Sequence, residues 1–194
     1  MLFTSPKSYY DVSCPDDLAG EVRQYVDAVE QRLPSLKATL RCDPAQRPVP
    51  AHPLRASFEL SDDAMAARCS GTRIRLSPEQ MRRFLRDPAN RYNGLFHATA
   101  AAMLEEFGKS QGNHIPQSII AIFQVEALRR LSDDPLARAA AERLDETGGP
   151  PGSDPCRGEL WSIYREHGFE PFEKVLAALR GNRAVLRNQS FRRD

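Results

Sequence analysis

The chain is 194 residues long, 41% hydrophobic and 27% charged, within the size of one globular domain and far from the polar compositions that stay unfolded. Lys+Arg 27 against Asp+Glu 26 leave a net charge of +1, which removes the electrostatic argument for nucleic acid or an anionic membrane as an obligatory partner. No apolar run approaches the roughly 18 residues that would span a bilayer. The opening Met1-Leu2-Phe3-Thr4-Ser5-Pro6-Lys7 lacks the basic-then-apolar order of a secretory leader, so a cytoplasmic protein is expected.

Cys14, Cys42, Cys69 and Cys156 are widely separated and form no CxxC pair, so buried or incidental thiols are expected rather than a zinc knuckle or a disulfide framework. Residues 9–14 read as a short strand stopped by Pro15, and Asp16-Asp17 suit the first turn of a helix. Leu18, Val22, Tyr25, Val26, Val29 and Leu33 then recur at helical spacing up to Pro34, which is expected to end or kink the helix. Residues 42–53 carry four prolines and read as an extended surface loop. Residues 55–60 and 72–76 alternate as half-exposed strands, the second with arginine on one face and aliphatic residues on the other.

Ser77, Pro78 and Gln80 make a helix start, with a capping serine, a proline at the first helical position and a glutamine three after the cap. Residues 90–107 place Phe96, Ala100, Met103, Leu104 and Phe107 on one helical face, ahead of Gly108. Pro116 opens a further helix with Ile119, Ile120, Phe123, Ala127 and Leu131 as its stripe, and Asp134-Pro135 opens another. The Gly/Pro-rich stretch 148–155 is a loop, followed by two helices, one carrying Leu160, Trp161 and Tyr164 before Gly168 and one carrying Phe172, Val175, Leu176 and Leu179 before Gly181. The basic stretch 183–194 reads as a flexible tail, leaving 1–182 as a single domain. No internal repeat is present.

Strand, long helix, two strands and then helices alone is an α+β order, with a small N-terminal mixed or antiparallel sheet packed on a mostly helical C-terminal part. Together with three local segments, this order resembles the catalytic domain of gluzincin zinc metallopeptidases of the peptidase-MA-like type. The segment Gly71-Thr72-Arg73-Ile74-Arg75-Leu76-Ser77-Pro78 is similar to that family's strand before the active helix. Asn93-Gly94-Leu95-Phe96-His97 is similar to the approach to the first zinc ligand, and residues 160–172 to the closing helical pair. The resemblance implies a zincin-like fold in which an HExxH helix and a glutamate on the next helix hold catalytic zinc.

The ligand positions depart from that pattern. Zinc hydrolysis needs two imidazoles a turn apart, a third protein ligand and a carboxylate base beside the bound water. Counting from His97, the base position is Ala98 and the second imidazole position is Ala101, while the downstream glutamate falls near Ile120 or Ala121. His114, Glu105, Glu106 and Glu126 complete no alternative ligand spacing. No metal and no cofactor are therefore expected.

His97 lies on the flank of its helix's apolar stripe, and Trp161, Tyr164 and His167 share a three-and-three spacing. Arg129 and Arg130 beside Glu126 read as solvated helix charges. No GxSxG elbow, P-loop or GxGxxG occurs. Two functional expectations follow. The first is a catalytically inactive zincin-like domain that binds, regulates or scaffolds, its partner an unspecified protein or small molecule rather than membrane or nucleic acid. The second is a metal-independent enzyme that reuses the cleft, with His97 as acid/base and Glu126, Tyr164 and His167 as cleft residues. A third reading is a helical interaction protein in which no sheet packs on the His97 helix.

Overall fold

The computed structural model of the chain describes residues 1–40, 54–58, 68–70, 73–87, 94–108, 115–148 and 156–177. Five strands form one mixed sheet: β1 (Leu2–Thr4), β2 (Tyr10–Ser13), β3 (Leu54–Phe58), β4 (Arg68–Ser70) and β5 (Arg73–Leu76), in the order β1-β2-β3-β5-β4. The central pairs β2/β3 and β3/β5 are parallel, and the outer pairs β1/β2 and β4/β5 are antiparallel. In-register partners share a face of a pleated sheet. Tyr10, Val12, Ile74 and Leu76 are buried, whereas Asp11, Ser13 and Arg75 between them are exposed. β2 and β5 therefore alternate between a buried apolar and an exposed polar side, the alternation that residues 74–76 express in sequence.

Between β2 and β3 runs α1 (Ala19–Thr39), the crossover that parallel neighbours require. The remaining helices are α2 (Pro78–Arg86), α3 (Gly94–Gly108), α4 (Gln117–Arg129), α5 (Pro135–Glu146), α6 (Arg157–His167) and a last helical stretch, α7, over 170–177. The α+β class holds. α3 packs against β4 and β5, and α4 lies against α1, α3, α5 and α6. Burial extends all round α4, from Ile120, Ala121, Ile122 and Phe123 to Val125, Ala127 and Leu128.

Several helix ends form where the sequence places them. Ser77 Oγ accepts from the Glu79 amide at 3.3 Å with Pro78 at the first helical position. Asp134 Oδ1 accepts from the Leu136 and Ala137 amides at 2.9 and 3.0 Å. Its other oxygen lies 3.5 Å from Arg32 Nε, tying the start of α5 to α1. Gly168 ends α6 at φ +68, a left-handed conformation that favours glycine.

Of the two outcomes expected at Pro34, an end or a kink, the end is corrected: α1 runs through it to Thr39. The proline removes one backbone donor at a cost of about 3 kcal/mol, but burial of two leucines beyond it returns roughly 2 kcal/mol each. Those leucines are Leu36 and Leu40, both fully buried. Two strands, β1 and β4, are absent from the sequence reading because three residues are too few to show alternation. The 42–53 loop, the 183–194 tail, most of the 148–155 loop and residues 90–93 of the third helix lie outside the described residues.

The β1–β2 turn is held from α1. Buried Glu30 accepts from Ser5 Oγ and from the Lys7 and Tyr9 amides, the last two at 3.1 and 3.3 Å. Ser5 Oγ in turn accepts from the Tyr10 amide at 2.9 Å, and Ser8 within this turn sits at φ 58. Glu30→Ala leaves two amides without their acceptor and is expected to lower unfolding free energy by about 3 kcal/mol, with Glu30→Gln costing about half as much. Urea denaturation of the two variants measures both values.

Candidate functional site around His97

α3 starts with a bond that local sequence does not supply. The free amide of Leu95, one of the first-turn donors that a helix leaves unpaired, is accepted by Tyr25 Oη of α1 at 2.9 Å. One turn later Thr99 Oγ1 donates to the Leu95 carbonyl at 2.7 Å and lies 2.7 Å from Tyr10 Oη of β2. Two buried tyrosines, one from α1 and one from the sheet, thus fix the height and rotation of α3, and with it the direction of His97.

His97 is 8% exposed and faces α4. Its Nδ1 lies 3.0 Å from the Gln124 side-chain oxygen and its Nε2 lies 2.8 Å from that of Gln117. A neutral imidazole donates through one nitrogen and accepts at the other, so one glutamine receives a proton and the other offers its amide; an imidazolium donates to both. Gln117, Ala121 and Gln124 fall within about 60° of one another at 3.6 residues per turn, so a single face of α4 meets the imidazole. Ala121 is the central residue of that face and is fully buried.

Ala101 follows His97 by one turn on α3, and Ala98 is its immediate neighbour; they are 5% and 2% exposed. The zinc that the sequence resemblance implies does not fit these residues. The His97 nitrogens are both engaged by glutamine, the positions beside and one turn beyond it are methyl groups, and the facing position on α4 is another methyl. No group of three or more His, Cys, Asp or Glu side chains able to hold a metal occurs among the described residues.

The other sequence candidates lie elsewhere. Glu126 is about 180° around α4 from the Gln117/Ala121/Gln124 face, and there it meets Tyr164 of α6, whose hydroxyl donates to Glu126 Oε2 at 3.4 Å. Arg129 joins them: Nη1 donates to Tyr164 Oη at 2.5 Å and Nη2 to Asp145 Oδ2 at 2.6 Å. Arg165 reaches the same Asp145 at 3.3 Å. Tyr164 also packs edge-on against Trp161 and Phe172. His167 at the end of α6 is exposed, 3.8 Å from Glu166. The structure therefore brings Glu126 and Tyr164 together, holds His97 on the opposite face of α4, and leaves His167 at the surface.

Gln117 and Gln124 are the residues around His97 that sequence reading passes over. Their signal is a seven-residue spacing of polar side chains on one face of a largely apolar helix. That pattern identifies a buried polar partner without saying which one.

Burial pushes the Tyr164 phenol up to about 12; Arg129 opposes the shift and Glu126 adds to it. A phenol whose folded value is raised supports the fold fully below pH 10 and ceases to do so as pH rises towards about 12. Wild-type protein is accordingly expected to lose stability across that window, and Tyr164→Phe to lose less; denaturant midpoints between pH 9 and 12 for both proteins measure the difference. No family model, no curated protein and no solved structure matches this chain.

Proposed function

We propose that this chain is a catalytically inactive zincin-like domain, a pseudopeptidase of gluzincin type that acts through binding, regulation or scaffolding. The observation that carries the reading is the meeting of α3 and α4. His97 faces the part of α4 where the gluzincin pattern sets its glutamate, and the two positions there, Ile120 and Ala121, are buried aliphatic residues. The base and second imidazole positions, Ala98 and Ala101, are buried methyls as well. Packing of α3 on β4 and β5 adds support, since the fortuitous helical reading required a His97 helix without a sheet beneath it.

His97 as a free acid/base requires a ring nitrogen directed at a substrate. Both nitrogens are directed instead at Gln117 and Gln124, so the metal-independent enzyme draws no support from this geometry.

Elemental analysis of the purified protein tests the reading. Wild type and His97→Ala are both expected to carry far less than one zinc per chain; near-stoichiometric zinc that His97→Ala loses overturns it. A second experiment tests the ancestry of the frame. Ala101→His with Ala121→Glu restores two donors to His97, and the added bulk is expected to destabilise the chain by about 1 to 3 kcal/mol per site in the absence of metal. Zinc is expected to raise the melting temperature of this double variant and not of wild type. A folded double variant indifferent to zinc refutes the gluzincin frame.

A further inference from the structure

α2 rests on α1 through one face and leaves a hollow beside it. Phe84 of α2 packs edge-on against Tyr25 of α1 with ring centroids 5.2 Å apart, and Met81 and Phe84 are buried in that contact layer. Next to it lies a cavity of about 390 Å³ lined by Glu21 of α1 and by Arg82, Leu85 and Arg86 of α2. Its size is that of a small-molecule site. None of its four residues belongs to the His97 site or to the ion-pair network around Tyr164.

The charges lining this cavity do not balance. Glu21 is matched to Arg82, whose Nε donates to Oε2 at 2.9 Å and whose Nη2 donates to Oε1 at 3.4 Å. The other carboxylates near this stretch of α2 are taken: Glu79 pairs with Arg83, and Asp87, the residue after Arg86, pairs with Arg143 of α5 at 2.6 Å. Arg86 is exposed and makes no hydrogen bond or ion pair among the described residues. Its charge nevertheless reaches the site. The bond from Arg82 holds the Glu21 carboxyl below its ordinary range, and Arg86 adds to that effect. One carboxylate thus faces two guanidinium groups, and the two cations stand one helical turn apart, a spacing at which like charges repel.

We propose that this cavity binds a short aliphatic monocarboxylate, its carboxylate on the Arg86 guanidinium and its hydrocarbon body on Leu85. Guanidinium presents a planar fork that matches a carboxylate with two parallel bonds. Half-buried Leu85, between Arg82 and Arg86 in the lining, supplies the apolar wall. A single anionic charge completes the balance, whereas a dianion such as phosphate carries a second charge towards Glu21. The inference is independent of the pseudopeptidase reading.

The test uses the full chain labelled with nitrogen-15, titrated with hexanoate, acetate and inorganic phosphate and followed by amide and arginine Nε resonances. Hexanoate is expected to shift the signals of Glu21, Arg82, Leu85 and Arg86 saturably, with a Kd of about 1 to 10 mM, as suits so small a ligand, and acetate to bind more weakly. Arg86→Gln is expected to weaken hexanoate about fivefold, the worth of one exposed ion pair. Glu21→Gln, which releases Arg82 and removes the carboxylate, is expected to tighten it severalfold, a gain that a merely structural role for these side chains would not give. Arg83→Gln, outside the cavity, is expected to leave binding unchanged. Absence of saturable shifts in wild type, affinity unchanged in both Arg86→Gln and Glu21→Gln, or acetate binding as tightly as hexanoate overturns the proposal. Phosphate binding more tightly than hexanoate overturns it in favour of a phosphate site.

Discussion

The enclosure of α4 is the constraint on which the rest of the molecule depends. A helix apolar around most of its circumference is stable only where neighbours cover that surface, and α1, α3, α5 and α6 do so. Their positions follow from that one demand. Arg32 of α1 and Asp134 at the cap of α5 meet across the bundle, while Phe123 of α4 takes Phe169 edge-on at 4.9 Å and thereby seats the turn between α6 and α7. Buried Trp161 accepts a cost in this packing, since its indole N–H has no hydrogen-bond partner among the described residues.

The two polar interruptions of α4 face opposite ways and resolve differently. On one side Gln117 and Gln124 close on His97, each within hydrogen-bond distance of one ring nitrogen. On the other, Glu126 and Arg129 reach the rim, where Tyr164, Asp145 and Arg165 spread the charge over α5 and α6. The first arrangement fixes an imidazole and surrounds it with methyl groups. The second is an ion-pair network at a half-buried helix junction, of the kind that orients helices rather than performs chemistry.

The sheet divides its labour by face in the same manner. Its inner side, from Tyr10 and Val12 to Ile74 and Leu76, supplies the apolar floor on which the helices rest. Tyr10 also reaches through that floor to Thr99 and so couples the sheet to α3. Asp11, Ser13 and Arg75 lie on the outer side and are exposed.

Local physics in the sequence determined most of the elements. The caps at Ser77 and Asp134, the strand alternation of Ile74, Arg75 and Leu76, and the helical stripe from Leu18 to Leu33 each act over a few residues, and each has the predicted form. The alanines after His97 were equally legible, because a missing donor is a fact of sequence. Tertiary structure decided the rest, since it depends on groups far apart in the chain. Burial of Leu36 and Leu40 carries α1 past Pro34, and Tyr25 caps a helix that begins at Gly94. The rotation of α4 pairs His97 with Gln117 and Gln124 and sends Glu126 to the other side. The parallel pairing of β2 with β3 and of β3 with β5 is tertiary in the same sense, because hydrogen-bonded register brings into adjacency residues that the chain itself keeps apart.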